Sequence, residues 1–445
     1  MNWKKALSVF MAAAMSLSLV ACGGDAGKTN DKPQEEAKGL KGSITVQAEE
    51  GWKPYYEAAI ERVKKANPDV EISIIEKGAF DHIEVIDKTG PKNEDVADVF
   101  SIPADRLYGM VEGENLAAID AEGLCKTVGG WKDFAEFNQG LGGNFKINDE
   151  YFAFPMNIEC LLAFKQKANA KAQNIDLTKP IEIGEATWAQ VQVPAFDAWY
   201  GVALMNSAGI ELLEKKEDGT FASDLTMEWA KLPKEKQAVI EALYGYWKGN
   251  ADNNTSLFDD KAGYAYTDTQ FETGKNGVIR LGGPWDYNTI AKAAGEENLE
   301  LGALDNLTIA GKPLAHWKGG WGYAINVRNE EDANKMAICN ALIAELSNPE
   351  FFEDYFKATG KVMEQVSAEK YEASGLTDAE KATVVNMINS YQNAVSRPLF
   401  QEYGQVWDTW KNAVLSWNAE KPSSAEEAYK QLKASFDAMM TNLQK

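Results

Sequence analysis

Histidine is nearly absent from this chain: two in 445 residues, His82 and His316, lie far apart with no Cys or Glu at metal-ligand spacing. A zinc site or a Ser-His-Asp triad therefore has almost no material to work with. Cysteine is scarce too, with Cys22, Cys125, Cys160 and Cys339 spread too widely for a disulfide framework. The last three are expected to be reduced core residues. Basic residues are outnumbered, 45 Lys and Arg against 67 Asp and Glu, for a formal net charge of -22. Nothing in that balance offers the clustered positive surface a phosphate backbone needs, which argues against a nucleic-acid partner. The oxygen-rich stretch from Asp252 to Asp260 lacks the Gly and terminal Glu spacing of a calcium loop and reads as a plain loop. No metal and no cofactor is expected.

Beyond the first 21 residues, no apolar run is long enough to span a bilayer. That first run, residues 6–21, follows Lys4 and Lys5 and reads as an export signal. It ends in Leu19-Val20-Ala21-Cys22-Gly23, which resembles a bacterial lipobox, with Cys22 as the lipid-modified N-terminus after cleavage. An ordinary signal peptide with an incidental Cys is the plainer alternative. Residues 1–22 are thus read as the signal and residues 23–41, polar and almost without apolar side chains, as a flexible tether. The body, 42–445, would sit outside the cytoplasmic membrane on a lipid leash.

A hydrophobic fraction of 45% with 25% charged residues is ordinary for a globular protein, and the length allows two lobes or domains with sizeable cores. Ser43-Ile44-Thr45-Val46 predicts a strand; Tyr56, Ile60 and Val63 fall at helical spacing before Asn67-Pro68-Asp69; Val70 to Ile74 and Val96 to Phe100 predict two more strands. This is the opening of an α/β fold. Ligands of such sheets sit beyond the carboxyl ends of strands, which draws attention to Glu49, Glu50 and Trp52 and to Asp105 and Arg106. Solvated surface charge is the competing reading for both groups.

Glu159 lies in the most apolar stretch of the body, residues 151–164, where a carboxylate is costly unless it is paired or opens to a cleft. A buried structural salt bridge would also explain it. Asp197 and Trp199 repeat the pairing of carboxylate and aromatic, and Leu281-Gly282-Gly283-Pro284-Trp285-Asp286-Tyr287-Asn288 sets a Trp on a stiff turn beside polar groups. Such a constellation suits a ligand with flat apolar faces and hydroxyl edges; a core Trp at a strand end is the alternative. His316 to Asn326, with Trp317 and Trp321 among glycines, is expected to lead into a strand, and the rest of the chain is expected to be helical. Its last helix, after the capping box Ser424 to Glu427, carries Ala428, Leu432, Phe436 and Met439 on one apolar face.

From about Ser43 onward these motifs, in this order, resemble the extracellular solute-binding proteins of sugar ABC transporters, the maltose/maltodextrin-binding branch in particular. The pattern runs from Glu49-Glu50-Gly51-Trp52 through Asp105-Arg106, Pro155 to Glu159, Asp197 to Gly209, Gly283-Pro284-Trp285 and Gly319 to Asn326, ending at Val406-Trp407. The resemblance implies a two-lobe periplasmic-binding-protein fold with a ligand cleft between lobes joined by hinge strands. One lobe would take about residues 42–155 and 310–360, the other about 156–309 and 361–445. It implies that Asp105 and Arg106, with Glu49 nearby, bind sugar hydroxyls, and that Glu159 is the carboxylate near the hinge. Asp197 and Trp199 would serve from the second lobe, Trp285 and Trp407 would stack on sugar rings, and Tyr287 would line the groove.

Two positions depart from the pattern. Glu50 stands where a lysine is expected, and Ser101 and Ile102 stand where a first-lobe tryptophan is expected, so that platform falls to Trp52, Trp317 or Trp321. The implied function is that of a monomeric, lipid-anchored receptor for malto-oligosaccharide, serving the permease subunits of an ABC importer at the outer face of the membrane. No catalysis is implied. A binding protein for another oligosaccharide or a polyol is the runner-up, and a glycoside hydrolase using Glu159 and Asp197, or Asp105, is the reading from a different class.

Overall fold

The computed structural model describes residues 39–444. Cys22 and nearly all of the expected tether lie outside them. Lys41, expected to end the tether, is instead the first residue of β1 (Lys41–Ala48), where it pairs with Asp69. Helix α1 (Lys53–Ala66) follows, opened by Pro54 in its first turn, and its buried Tyr56, Ile60 and Val63 give it one inward face. It hands over to β2 (Asp69–Glu76), parallel to β1, and β3 (Val99–Pro103) lies on the other side of β1. Val96 to Asp98, expected in that strand, precede it. Asp98 is held off by its side chain, which accepts from the Thr45 amide at 2.8 Å and from Arg328 Nε at 2.8 Å.

Next come β4 (Ala153–Glu159) and, after only Cys160 and Leu161, β5 (Leu162–Gln166). These two strands belong to different sheets. A second sheet has β5 at its centre, with β6 (Val191–Gln192), β7 (Ile279–Gly282) and β8 (Leu299–Gly302). Near β6 the chain forms α2 (Ala198–Asn206) and later α3 (Lys234–Asp252). The chain keeps to that half through Leu314, whose amide donates to Leu307, before β9 (Trp317–Ile325) returns to the first sheet. There β9 lies antiparallel both to β3, with Trp321 opposite Pro103, and to β4, with Gly319 opposite Glu159.

The glycines of β9 were expected to precede a strand, but they are inside it. A Cβ on Gly319 would stand 2.8 Å from Glu159 Cγ, on Gly320 2.5 Å from Leu141, and on Gly322 2.7 Å from Phe145. Close packing of neighbouring side chains, not turning, is what these glycines provide.

Two more crossings complete the body. Val362 bridges to Ile158 beside β4, and the chain then enters α4 (Asp378–Gln392), which packs on the second sheet. The stretch after it was expected to be helical, yet it forms β10 (Val395–Ser396), parallel to the start of β9. Pro398 keeps a helix from running through this stretch, since it removes a helical donor and disfavours helical backbone at the residue before it. Helices α5 (Gly404–Glu420) and α6 (Ala425–Leu443) close the chain against α2 and α3. The result is a two-lobe α/β fold whose sheets are joined by several crossing segments. Cys125, Cys160 and Cys339 are buried and unbonded. Among the described residues no helix is long and apolar enough to cross a membrane.

Candidate interlobe binding cleft

A cavity of about 850 Å3 opens where these crossings meet, and all twelve side chains singled out as binding candidates line it. Its size falls in the range usual for ligand pockets, roughly 300–1,000 Å3. A smaller hollow of about 480 Å3 adjoins it, sharing Tyr287, Asn288 and Glu380.

From the first sheet, the loop after β1 supplies Glu49, Glu50 and Trp52. Gly51 makes that turn in left-handed backbone, φ 89°, and Trp52 rests on Tyr56 with ring centroids 6.1 Å apart. Glu49 accepts from the Ala79 amide at 3.2 Å, while Glu50 is exposed. Asp105 and Arg106 follow β3 at the same edge. The expected absence of a tryptophan at Ser101 and Ile102 has a structural counterpart, for both are buried within β3. Trp52, Trp321, Phe356 and Phe80, which the sequence did not single out, are the aromatic lining on that side. Trp317 does not reach the cavity; it is 2% exposed and sits behind Trp199 and Trp407.

Glu159 ends β4, buried, with Oε2 accepting from Trp321 Nε1 at 2.9 Å. Its Oε1 lies 3.6 Å from Arg397 Nη1. Both readings of this carboxylate hold at once: it is paired, and it lines the cleft. Asp197 is the N-cap of α2, accepting from the Trp199 amide at 2.8 Å and from the Tyr264 hydroxyl. Neither carboxylate is free.

The second-sheet wall carries three further indoles, Trp199, Trp285 and Trp407. Trp285 is half-buried in a short turn after β7, which Asp286 ties by accepting from the Gly283 amide at 2.9 Å. The backbone of Gly360, φ 65°, presses on that turn: a Cβ there would be 3.2 Å from Trp285 Cα. Lys361 then places its ammonium 5.0 Å from the Trp285 ring and 5.4 Å from that of Trp321. Tyr287 lines the cavity and donates to Glu296 at 3.2 Å. Trp199 packs against buried His316, 4.3 Å between centroids, and Trp407 stands edge-on to Trp317 at 5.8 Å. Sequence reasoning missed Lys361, Phe80, Tyr264 and, most of all, Arg397, which reaches Asp105 Oδ2 with Nη2 at 2.8 Å. The one signal for Arg397 was the proline after it.

Two sheet-bearing lobes, a cleft lined from both, and several crossing segments define a bilobed periplasmic-binding-protein fold. No family model matches the chain. It is 24% identical over 446 residues, 96% of this chain and 95% of the relative, to the maltodextrin-binding protein of Bacillus subtilis. It is 25% identical over 429 residues (93% and 92%) to a maltooligosaccharide ABC transporter solute-binding lipoprotein of Streptococcus pneumoniae. A galactooligosaccharide-binding protein of B. subtilis is 23% identical over 360 residues (76% and 77%). Among solved structures, the maltose complex of a maltose-binding periplasmic protein from Listeria monocytogenes matches with a TM-score of 0.63 at 17% identity, covering 90% of this chain and 98% of that one. Along nearly its whole length the chain is similar to these maltodextrin- and maltooligosaccharide-binding proteins, and it shares the bilobed fold of the solved maltose-binding protein. Each of these relatives is named for binding an oligosaccharide or a solute.

Proposed function

We propose that this protein captures malto-oligosaccharide in the interlobe cleft and presents it to the permease subunits of an ABC importer, as a monomer held by a lipid on Cys22 to the outer face of the membrane. The observation that carries the reading is the set of part-buried indoles, Trp199, Trp285 and Trp407, facing a cavity of about 850 Å3 whose rim bears carboxylates. Ring faces of sugar stack on such indoles, and hydroxyls pair with Asp105, Arg106 and Glu159. Glu49, Glu50, Trp52, Tyr287 and Trp321 complete the lining, and Asp197 gives what acceptor capacity its cap leaves. The adjoining hollow past Tyr287 favours an oligomer over a single sugar. With lobes of about 42–155 plus 310–360 and about 156–309 plus 361–445, a ligand touching both stabilises the closed form, and that form is the one a permease would read.

A different oligosaccharide is the second reading, supported by Glu50 and by the missing first-lobe tryptophan at Ser101 and Ile102. Isothermal titration of residues 41–445 with maltose, maltotriose, longer maltodextrins and β-linked or galactose-containing oligosaccharides separates the two. Micromolar binding, about -8 kcal/mol, to α-glucans is the expected result. Silence toward α-glucans with binding of another sugar replaces the cargo.

A further inference from the structure

The structure assigns Arg397 as a ligand-reading residue of the cleft floor that, with Asp105, selects a neutral, hydroxyl-bearing ring. This rests on the sugar-binding reading above. Arg397 leaves β10 at a crossing between the lobes, with its side chain only 6% exposed, and both it and Asp105 line the cavity. Three indoles surround the guanidinium carbon: Trp199 at 5.3 Å, Trp317 at 5.6 Å and Trp407 at 6.0 Å. Burial of this kind is tolerable only because Asp105 and Glu159 neutralise the charge.

The pairing is incomplete in an informative way. Nη2 and Oδ2 satisfy one another at 2.8 Å, but Nη1 of Arg397 and Oδ1 of Asp105 are both buried without a hydrogen-bond partner among the described residues. Glu159 stands 3.6 Å from Nη1, beyond hydrogen-bond length. One orphan is a donor and the other an acceptor, and they belong to the same ion pair. A hydroxyl is the group that both accepts and donates, so the edge of a sugar ring satisfies them together. A carboxylate could take the donor but would face Asp105 and Glu159, two like charges, so an acidic sugar is disfavoured at this position. Arginine suits the task because its planar fork stays charged and stacks on aromatics while offering a free N–H.

The test is a cycle between protein and ligand. Titrate wild type, Arg397→Met and Arg397→Lys with maltotriose and its monodeoxy derivatives. In the wild type, removal of one particular ring hydroxyl lowers affinity at least tenfold. In Arg397→Met the same removal costs under threefold, because the group that read it is gone. Arg397→Lys, which keeps the charge opposite Asp105, carries the cycle should the Met variant not fold, and it too loses discrimination. Equal losses in all three proteins overturn the assignment and leave Arg397 a structural brace. Failure of the wild type to bind maltotriose overturns the cargo reading, and this assignment with it.

Discussion

The Cβ that Gly201 lacks would stand 2.5 Å from Nε1 of Trp410. That contact is where α5 crosses α2, and the Trp410 indole is fully buried with its N–H donated to Ala195 at 2.9 Å. The crossing fixes the distance between Trp199 at the start of α2 and Trp407 one turn before Trp410. Gly201→Ala forces the helices apart, and overpacking of this sort costs about 1–3 kcal/mol. Urea unfolding measures it, and titration with the sugar ligand is expected to show weaker binding even where the variant remains folded. An unchanged midpoint would mean that the crossing adjusts freely.

His82 supplies one part of the pH dependence, and buried His316, its pKa lowered to about 3 by burial, supplies another of the same sign. His82 is buried, its Nε2 accepts from the Ala97 amide at 2.9 Å, and burial, with Lys77 and Arg328 adding to it, lowers its pKa to about 4. An unfolded histidine titrates near 6.5, so the unfolded state takes up the proton first as pH falls. The contribution of the neutral ring is whole above about pH 6.5 and is lost progressively down to about pH 4, a difference of about 3 kcal/mol. Unfolding free energies at pH 7.5 and 4.5 are expected to differ less in His82→Gln than in the wild type. Parallel pH profiles would remove His82 as a contributor.

The α/β opening was legible because α1 keeps its apolar side at Tyr56, Ile60 and Val63 and stops at Asn67-Pro68. The walls of the cleft were legible where chemistry is local: a carboxylate beside aromatics at Asp197 and Trp199, or a glycine-proline turn before Trp285. Arg397 was not, since its partner Asp105 is remote in sequence and its own neighbourhood looked helical. Nor could sequence say which tryptophan of β9 faces the cleft. Trp317 and Trp321 differ by an even number of positions, yet Trp317 is walled in by Trp199, Tyr403 and Trp407 while Trp321 reaches Glu159 and the cavity. The arrival of α2 and α5 on Trp317 separates them.

Cys22 is expected to carry the anchor. With Cys22→Ser the lipid acceptor thiol is gone, and the protein is expected in the soluble or secreted fraction when cells are broken and sedimented. Continued recovery with the membranes would sink the lipoprotein reading.

Trp285 stands to lose most by truncation. Its turn is rigid on three counts, since Asp286 ties the Gly283 amide, Pro284 fixes the backbone and Gly360 packs on its Cα. A stiff aromatic loses little freedom when a ring settles on it, which is why such residues dominate binding energies. The Lys361 ammonium, 5.0 Å from the indole, holds part of the cleft edge through that ring. Trp285→Ala is expected to weaken sugar binding at least tenfold, about 1.4 kcal/mol, with the thermal midpoint little changed because the ring is only half-buried. Lys361→Ala discriminates the cause: if Lys361 acts only through the indole, it weakens binding in the wild type and adds nothing in Trp285→Ala. Undiminished affinity in Trp285→Ala would take the indole out of the site.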